Sequence, residues 1–422
     1  MVEIRKPISV DDAVQLVMEH RIVGEKETIP FVDCDDRRLA EPLIATHHVP
    51  SFDKSPYDGF AIRSVDTKSA SKNNPVEFTV VEHIGAGQVP EVALSKQQAT
   101  RIMTGAKIPD GADCVIMFEN CQMYERDGKN FMSIEQSVSS GQNIIKEGSE
   151  VQKGTSLVER GTLINPGVKA LLATFGYDQV VVSKKPVVGI LATGTELLEV
   201  DEPLEEGKIR NSNAYMIASQ VKRAGGDFKY YGQLADEKHS SYELIKKALE
   251  EVDFLITTGG VSVGDYDLMP EIYEMLQANI LFNKIGMRPG SVTTVALLKD
   301  TFLFGLSGNP SACYVGFELF VRPIMQYYMF SQKPFLQRTT ATLAEDFPKE
   351  NPFTRFVRCY TTFENGKLFV HLAGKDKSNV VSSLAHTTCF MELRGGTGGC
   401  KAGSTVEVLL LNSENGQANF RE

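Results

Sequence analysis

Hydrophobic and polar positions along this chain change rhythm from one region to the next. After Ser9, the segment VDDAVQLVMEH sets Ala13, Leu16 and Val17 on one face of a helix, with an acidic first turn and Ser9 as its cap. A strand-like TIPFVDC follows. From about residue 49 the pattern breaks into short alternating runs, VEFTVVEHI, TRIMTG and DCVIMFENCQMY, split by turn residues, with DGKN as a hairpin turn. Residues 51–146 therefore read as a β-rich insert domain. The stretch EGSEVQKGTSLVERGTLINPGVKALLATFG returns to mixed strand and helix, which makes the N-terminal domain discontinuous, 1–50 with 147–180.

Between 181 and 328 the alternation is of another kind. PVVGILATG is a near-continuous apolar strand and NAYMIASQVKRAGG an amphipathic helix stopped by glycine. FKYYGQL, SYELIKKALEEV, DFLITTGG, LMPEIYEMLQ, ILFNKIG, TFLFGLSG and SACYVGFELFVRPIM continue the series of strands and helices. Such a βαβ series predicts an open parallel α/β domain covered on both faces. Residues 329–422 carry only strand-like runs, among them RFVRCYTTF, KLFVHLAG and STVEVLLL, and predict a C-terminal β-barrel domain or a small sandwich. The fold class is thus multidomain α/β plus β.

Composition narrows the function. With 422 residues the chain exceeds a single core, and its formal net charge of −10 argues against nucleic acid or an anionic membrane as a partner. No stretch of about 20 apolar residues is present to span a bilayer. Seven cysteines are scattered and odd in number with no CxxC pair, the usage of reduced thiols in a cytoplasm. His47-His48 is the one histidine cluster, and nothing beside it has metal-ligand spacing.

An open parallel sheet binds ligands beyond the carboxyl ends of its strands. At those ends the sequence places Thr193-Gly194-Thr195-Glu196, Ala235-Asp236-Glu237 and TTGGVSVGDYD, so Glu196, Asp236, Asp265 and Asp267 gather along one edge. Massed carboxylates call for shifted pKa values or a shared cation, and a hard ion such as Mg²⁺ takes one or two carboxylates with water and phosphate oxygens. Gly259, Gly260 and Gly264 allow a tight turn whose N–H groups face an anion, and Thr258 and Ser262 add hydroxyl donors. A plain strand-to-helix loop with aspartate caps is the bland alternative. Lys284 and Arg288, in NKIGMRPG, could supply positive charge. GLSGNP, with Asn309, is a second tight loop opening a helix. Asp58 and Thr104, in the insert, read by themselves as turn or cap positions.

Taken in order, FDKSPYDGFAIR, RIMTGAKIPDGADCVIMFE, NIIKEGSEVQKGTSLVERG, PVVGILATGTEL, KIRNSNAYMI, TTGGVSVGDYDLM, KIGMRPG and GLSGNPSACYVGFELFVRP resemble the molybdopterin molybdenumtransferase family, the MoeA proteins and the E domain of gephyrin. The resemblance runs nearly end to end. It implies an elongated four-domain subunit that forms a homodimer and inserts molybdate into adenylyl-molybdopterin, giving molybdenum cofactor and AMP with the help of Mg²⁺. It implies Asp58, Thr104, Glu196, Asp236 and Asp267 as the catalytic positions, with Glu196, Asp236 and Asp267 toward metal. Asp58 and Thr104 would reach the cleft of the dimer partner. Lys284, Arg288, Arg358 and Ser378 would recruit molybdate or phosphate, and Gly259-Gly260 would contact the pterin phosphate. A molybdopterin adenylyltransferase is implied as a partner. Other readings are a gephyrin-like scaffold, or an adenylyltransferase of the same cofactor. The chain departs from the family pattern at Arg288 and Ser291, where relatives carry lysine, at Ser307, where many carry proline, and around Lys146 and Glu150, where IKEGSE replaces RxxGED.

Overall fold

The computed structural model describes residues 6–234, 237–260, 268–413 and 416–421. Two compact units divide the chain, one of Pro42–Glu159 with Ala170–Asp178, the other of Met1–Glu41, Arg160–Lys169 and Gln179–Glu422.

The first of these units is built on a six-stranded sheet in the order Cys114–Met117, Gly59–Ile62, Gln98–Ile102, Val76–Ile84, Lys129–Ile134 and Gln122–Arg126. Phe60, Phe78, Ile62, Ile116 and Met132 fill one side of it. The expected turn at DGKN joins its last two strands: Asp127 and Gly128 both have positive φ, 53° and 70°, and Arg126 pairs with Lys129. Gly59 is required by close approach, since a Cβ there would lie 2.0 Å from the Ile116 carbonyl oxygen.

In the larger unit the helix Val10–Glu19 starts where the sequence places it, with Ser9 Oγ accepting the Asp12 N–H at 3.0 Å. It buries Val10, Ala13, Val14 and Val17, whereas Leu16 is only half-buried because the stripe centres on Val14. A central six-stranded sheet runs Asp227–Leu234, Val187–Thr193, Phe254–Thr258, Thr301–Leu306, Thr294–Leu298, Asn279–Phe282. The first four strands are mutually parallel. Thr294–Leu298 runs against its neighbours on both sides, one antiparallel strand in the otherwise parallel sheet. It forms a tight hairpin with Thr301–Leu306 around Lys299, at φ 54°, a short connection that a βαβ reading passes over.

Helices cover both faces of this sheet. Val188, Ile190, Phe254, Ile256, Phe302 and Phe304 point to one side, where they meet Ile217, Val221, Phe317, Phe320 and the N-terminal helix. Leu191, Leu255 and Leu303 point to the other, against Ile245, Ala248 and Ile272. This two-sided burial explains the near-continuous apolar runs.

The C-terminal strands close into a barrel. Thr354–Glu364 pairs with both Lys367–Leu372 and Cys389–Leu393, and Gln337–Leu343 and Thr405–Leu410 complete the circuit, leaving no free edge within it. The short strand Met287–Arg288 adds to it in parallel, with Arg288 in register with Arg355.

Candidate active site

Two strands set the floor of the site. Val187–Thr193 and Phe254–Thr258 end at the same level, and Thr193 Oγ1 donates to the Thr258 carbonyl at 3.1 Å. The chain then turns through Gly259 and Gly260, at φ 91° and 65°. A Cβ on Gly259 would come within 2.7 Å of Thr193 Oγ1, and one on Gly260 within 2.8 Å of the same atom. Glycine is therefore needed twice over, for left-handed backbone and for space. The Gly259 N–H is taken by the Leu306 carbonyl at 2.8 Å, which draws the Ser307-Gly308-Asn309 turn alongside.

Above this floor lies a cavity of about 930 Å³. Thr193, Gly194, Thr195, Glu196, Thr258, Gly259, Gly260, Ser307, Gly308 and Asn309 contribute to its wall, as do Arg210, Asn211 and Asn213. Glu196 is exposed to it, and its carboxylate has no hydrogen-bond partner among the described residues. That carboxylate folds back over Gly194, where a Cβ would lie 2.4 Å from Oε2. Asn213, buried behind the Ser307–Asn309 turn, gives its amide to the Gly308 carbonyl at 2.8 Å.

A second cavity, of about 280 Å³, shares Val292, Ser307 and Asn309 with the first. Arg288, Arg355, Lys377 and Ser378 line it, with Asp376 as its carboxylate. Arg288 and Arg355 are register partners on adjoining strands, and like charges so placed repel. Asp376 offsets Arg355, accepting from its Nη1 at 2.8 Å. The barrel loop that carries Ser378 is tied to the α/β domain, since the Ser311 N–H donates to the Ser378 carbonyl at 3.0 Å and Ser311 Oγ to the Val380 carbonyl at 2.7 Å.

The structure thus brings Glu196, Thr258, Gly259, Gly260 and Asn309 to one cavity, and Arg288, Asn309 and Ser378 to its neighbour. Ser262, Asp236, Asp265 and Asp267 lie outside the described residues. Two of the expected residues stand outside both cavities. Arg358 is buried and lines neither cavity; Nε donates to Ser383 Oγ at 3.0 Å and Nη2 to the Lys375 and Lys377 carbonyls at 3.1 and 3.2 Å, so it holds the loop from behind. Arg355, three residues earlier on the same strand, is the arginine in the wall. Lys284 lines neither cavity, and its carbonyl accepts the Ile8 N–H at 3.2 Å. Missed by sequence reasoning were Arg210, Asn213, Arg355 and Lys377, which only the barrel's docking and the helix starts bring to these walls.

In the other unit Asp58 and Thr104 meet. The antiparallel pair Gly59↔Ile102 sets them at one end of the ladder, and Asp58 Oδ1 accepts from the Thr104 N–H at 2.7 Å and the Thr104 hydroxyl at 2.9 Å. These two donors hold the Asp58 carboxyl below the usual carboxylate range.

Family models match in three consecutive blocks: the MoeA N-terminal region (domain I and II) over residues 8–176, the probable molybdopterin binding domain over 189–327, and the MoeA C-terminal region (domain IV) over 340–411. Molybdopterin molybdenumtransferase from Bacillus subtilis (strain 168) is 56% identical over 416 residues, 99% of this chain and 97% of that one. The chain belongs to the molybdopterin molybdenumtransferase family. A family member from Staphylococcus aureus (strain MRSA252) is 47% identical over 98% of both chains. Two solved structures of the molybdopterin biosynthesis MoeA protein from Pyrococcus horikoshii align with TM-scores of 0.86 and 0.79, at 28% and 30% identity, over 97% and 96% of this chain and 100% of each of theirs. Membership places the chain among the enzymes of molybdenum cofactor biosynthesis, and neither a scaffold nor an adenylyltransferase is favoured by relatives that match it from end to end.

Among the described residues no group of three or more His, Cys, Asp or Glu side chains is arranged to hold a metal, and no helix is long and apolar enough to cross a membrane.

Proposed function

We propose that the chain inserts molybdate into adenylyl-molybdopterin and releases AMP. One observation carries this reading: a large mixed cavity at the strand ends lies beside a small cationic one, with Val292, Ser307 and Asn309 lining both. The larger volume falls in the range of small-molecule and cofactor sites. A pterin bearing a dithiolene and a pyrophosphate would rest on the Thr258-Gly259-Gly260 turn. In the smaller cavity Arg288, Arg355 and Lys377 outnumber Asp376, and Ser378 adds a hydroxyl, a donor set suited to a tetrahedral dianion such as molybdate.

This arrangement gives each residue a task. The cations of the small cavity offset the repulsion between molybdate and a doubly phosphorylated guest, holding the metal centre next to the sulfurs. The two dithiolene sulfurs then replace one oxygen on molybdenum, their two S–H protons leaving with it as water, and a second water cleaves the phosphoanhydride so that AMP departs and one phosphate stays on the pterin. Glu196 fits a hard cation, because its carboxylate stands in a polar wall without a protein partner among the described residues. It would hold Mg²⁺ together with Asp236 and Asp267, and the bound ion would withdraw charge from the phosphoanhydride. Asp58 and Thr104, joined by two hydrogen bonds, would act in the site of a second copy of the chain within a homodimer. A molybdopterin adenylyltransferase would supply the substrate. All seven cysteines are free thiols, which suits a cytoplasmic setting.

The test is direct. Purified protein given adenylyl-molybdopterin should release AMP only when molybdate is added, and should not react with ATP and free molybdopterin. AMP release that ignores molybdate would overturn the reading.

A further inference from the structure

One wall of the larger cavity is a flap, residues 197–210, and the Tyr230 hydroxyl touches the chain at both of its ends. Leu197–Leu198 and Ile209–Arg210 pair as a short parallel ribbon, with Leu198 in register with Arg210. The Ile209 N–H donates to the Glu196 carbonyl at 2.9 Å and the Asn211 N–H to the Leu198 carbonyl at 2.8 Å. Just beyond the first strand, Glu199 Oε1 accepts the Tyr230 hydroxyl at 2.6 Å and Oε2 accepts the Tyr215 hydroxyl at 2.7 Å. Just beyond the second, the Asn211 amide donates to that same Tyr230 oxygen at 2.8 Å. Tyr230 lies on the Asp227–Leu234 strand and Tyr215 on the Asn213–Arg223 helix, so both clamps are rigid elements of the domain. Burial, with the Glu199 carboxylate, pushes the Tyr230 hydroxyl above its ordinary range, which keeps it a donor.

The flap is strongly acidic, with Glu199, Asp201, Glu202, Glu205 and Glu206 among its residues. Its cation at the cavity is nevertheless unneutralised. Arg210 makes no ion pair among the described residues; its Nη2 donates to the Glu202 carbonyl at 3.1 Å. Three of the flap's carboxylates are engaged elsewhere: Glu199 by the two tyrosines, Glu202 Oε2 by the Glu199 N–H at 2.6 Å, and Glu205 by Lys208 at 3.3 Å. Among the described residues lining the larger cavity, Arg210 is the one cation. A chain of formal charge −10 that binds a doubly phosphorylated molecule needs such a group at this wall.

We propose that the 197–210 flap is a binding element, with Arg210 contacting an anionic group of the substrate and Glu199 acting as the positioning residue that holds Arg210 in the wall. The inference rests on adenylyl-molybdopterin being the substrate. A solvated surface arginine on a loop would give none of the effects below.

The Kd for adenylyl-molybdopterin, measured by ultrafiltration on the purified full chain, reads the contact apart from turnover. Arg210→Ala should weaken binding about tenfold, the loss of one charge-assisted hydrogen bond. Arg210→Lys should recover part of that loss, and the deficit should shrink as salt is raised. Glu199→Gln should weaken binding severalfold and speed tryptic cleavage at Lys208. The double variant should bind no worse than Arg210→Ala alone, because Glu199 acts through Arg210. A Kd for Arg210→Ala within twofold of the unsubstituted chain overturns the proposal, and additive effects in the double variant overturn the positioning role. Tight substrate binding without molybdate-dependent AMP release would instead sink the proposed reaction and leave the flap's role standing.

Discussion

The Asn213 side-chain amide donates to the Gly308 carbonyl at 2.8 Å, joining the first residue of one helix to the turn that opens another. This bond ties two parts of the larger cavity's lining together. Asn213→Asp keeps the shape but turns an oxygen toward an oxygen. It should cost about 2–3 kcal/mol, read as a lower urea midpoint with an unchanged slope. An unaltered midpoint would mean that other contacts hold the turn.

Gly259 sits at φ 91° with a Cβ position 2.7 Å from Thr193 Oγ1 and 2.9 Å from the Thr193 carbonyl oxygen. Gly259→Ala must therefore strain the backbone and displace a neighbouring strand end. We expect a loss of about 2–4 kcal/mol in stability, together with weaker substrate binding, whereas Gly207→Ala, at φ 82° with open space around it, should show the backbone part alone. Equal losses in the two variants would remove the packing argument.

Arg355 is buried, donating to Asn351 Oδ1 at 2.7 Å and to Asp376 Oδ2 at 2.8 Å. Arg355→Met removes one of the three cations around Asp376, leaving Lys349 on the same Oδ2 at 2.9 Å and Arg358 Nη1 at 3.7 Å from Oδ1. The expected cost is about 2 kcal/mol, that of one hydrogen bond between charged groups, and molybdate affinity should fall as the 375–378 loop loosens. A variant as stable as the parent would show that Lys349 and Arg358 suffice.

Asp58 titrates below the usual carboxylate range because the Thr104 N–H and hydroxyl stabilise its charged form. With a depressed folded value, the contribution of these bonds is complete above the ordinary carboxyl pKa of about 3.9 and is lost as pH falls through the lower, folded one. Thr104→Val removes the hydroxyl and leaves the N–H. The Asp58 carboxyl midpoint, followed by NMR, should rise part of the way toward its ordinary value. No movement would show that the backbone bond does all of the work.

If two copies share each site, Asp58→Ala and Glu196→Ala chains should each lose molybdate-dependent AMP release and regain a part of it when mixed. Verified mixed dimers that stay inactive would place both residues in one chain's own site.

Hydrophobic rhythm alone marked the sandwiched α/β sheet, because strands buried on both faces must be apolar throughout, and it located the turns where glycine, not side-chain chemistry, is demanded. Order along the chain fixed the family, since eight motifs in register leave little freedom. The position of the Thr258-Gly259-Gly260 turn at a sheet edge was legible for the same reason: parallel strands end together. What periodicity could not convey was pairing across long separations. Thr294–Leu298 reversed direction because a two-residue hairpin left no room for a crossover. Arg355 displaced Arg358 from the cavity because barrel closure and the docking of the 375–378 loop decide which side of Thr354–Glu364 faces the α/β domain. Local propensity sets the strand, but only the packed neighbours determine which of its charged side chains meets the ligand and which is spent holding a loop.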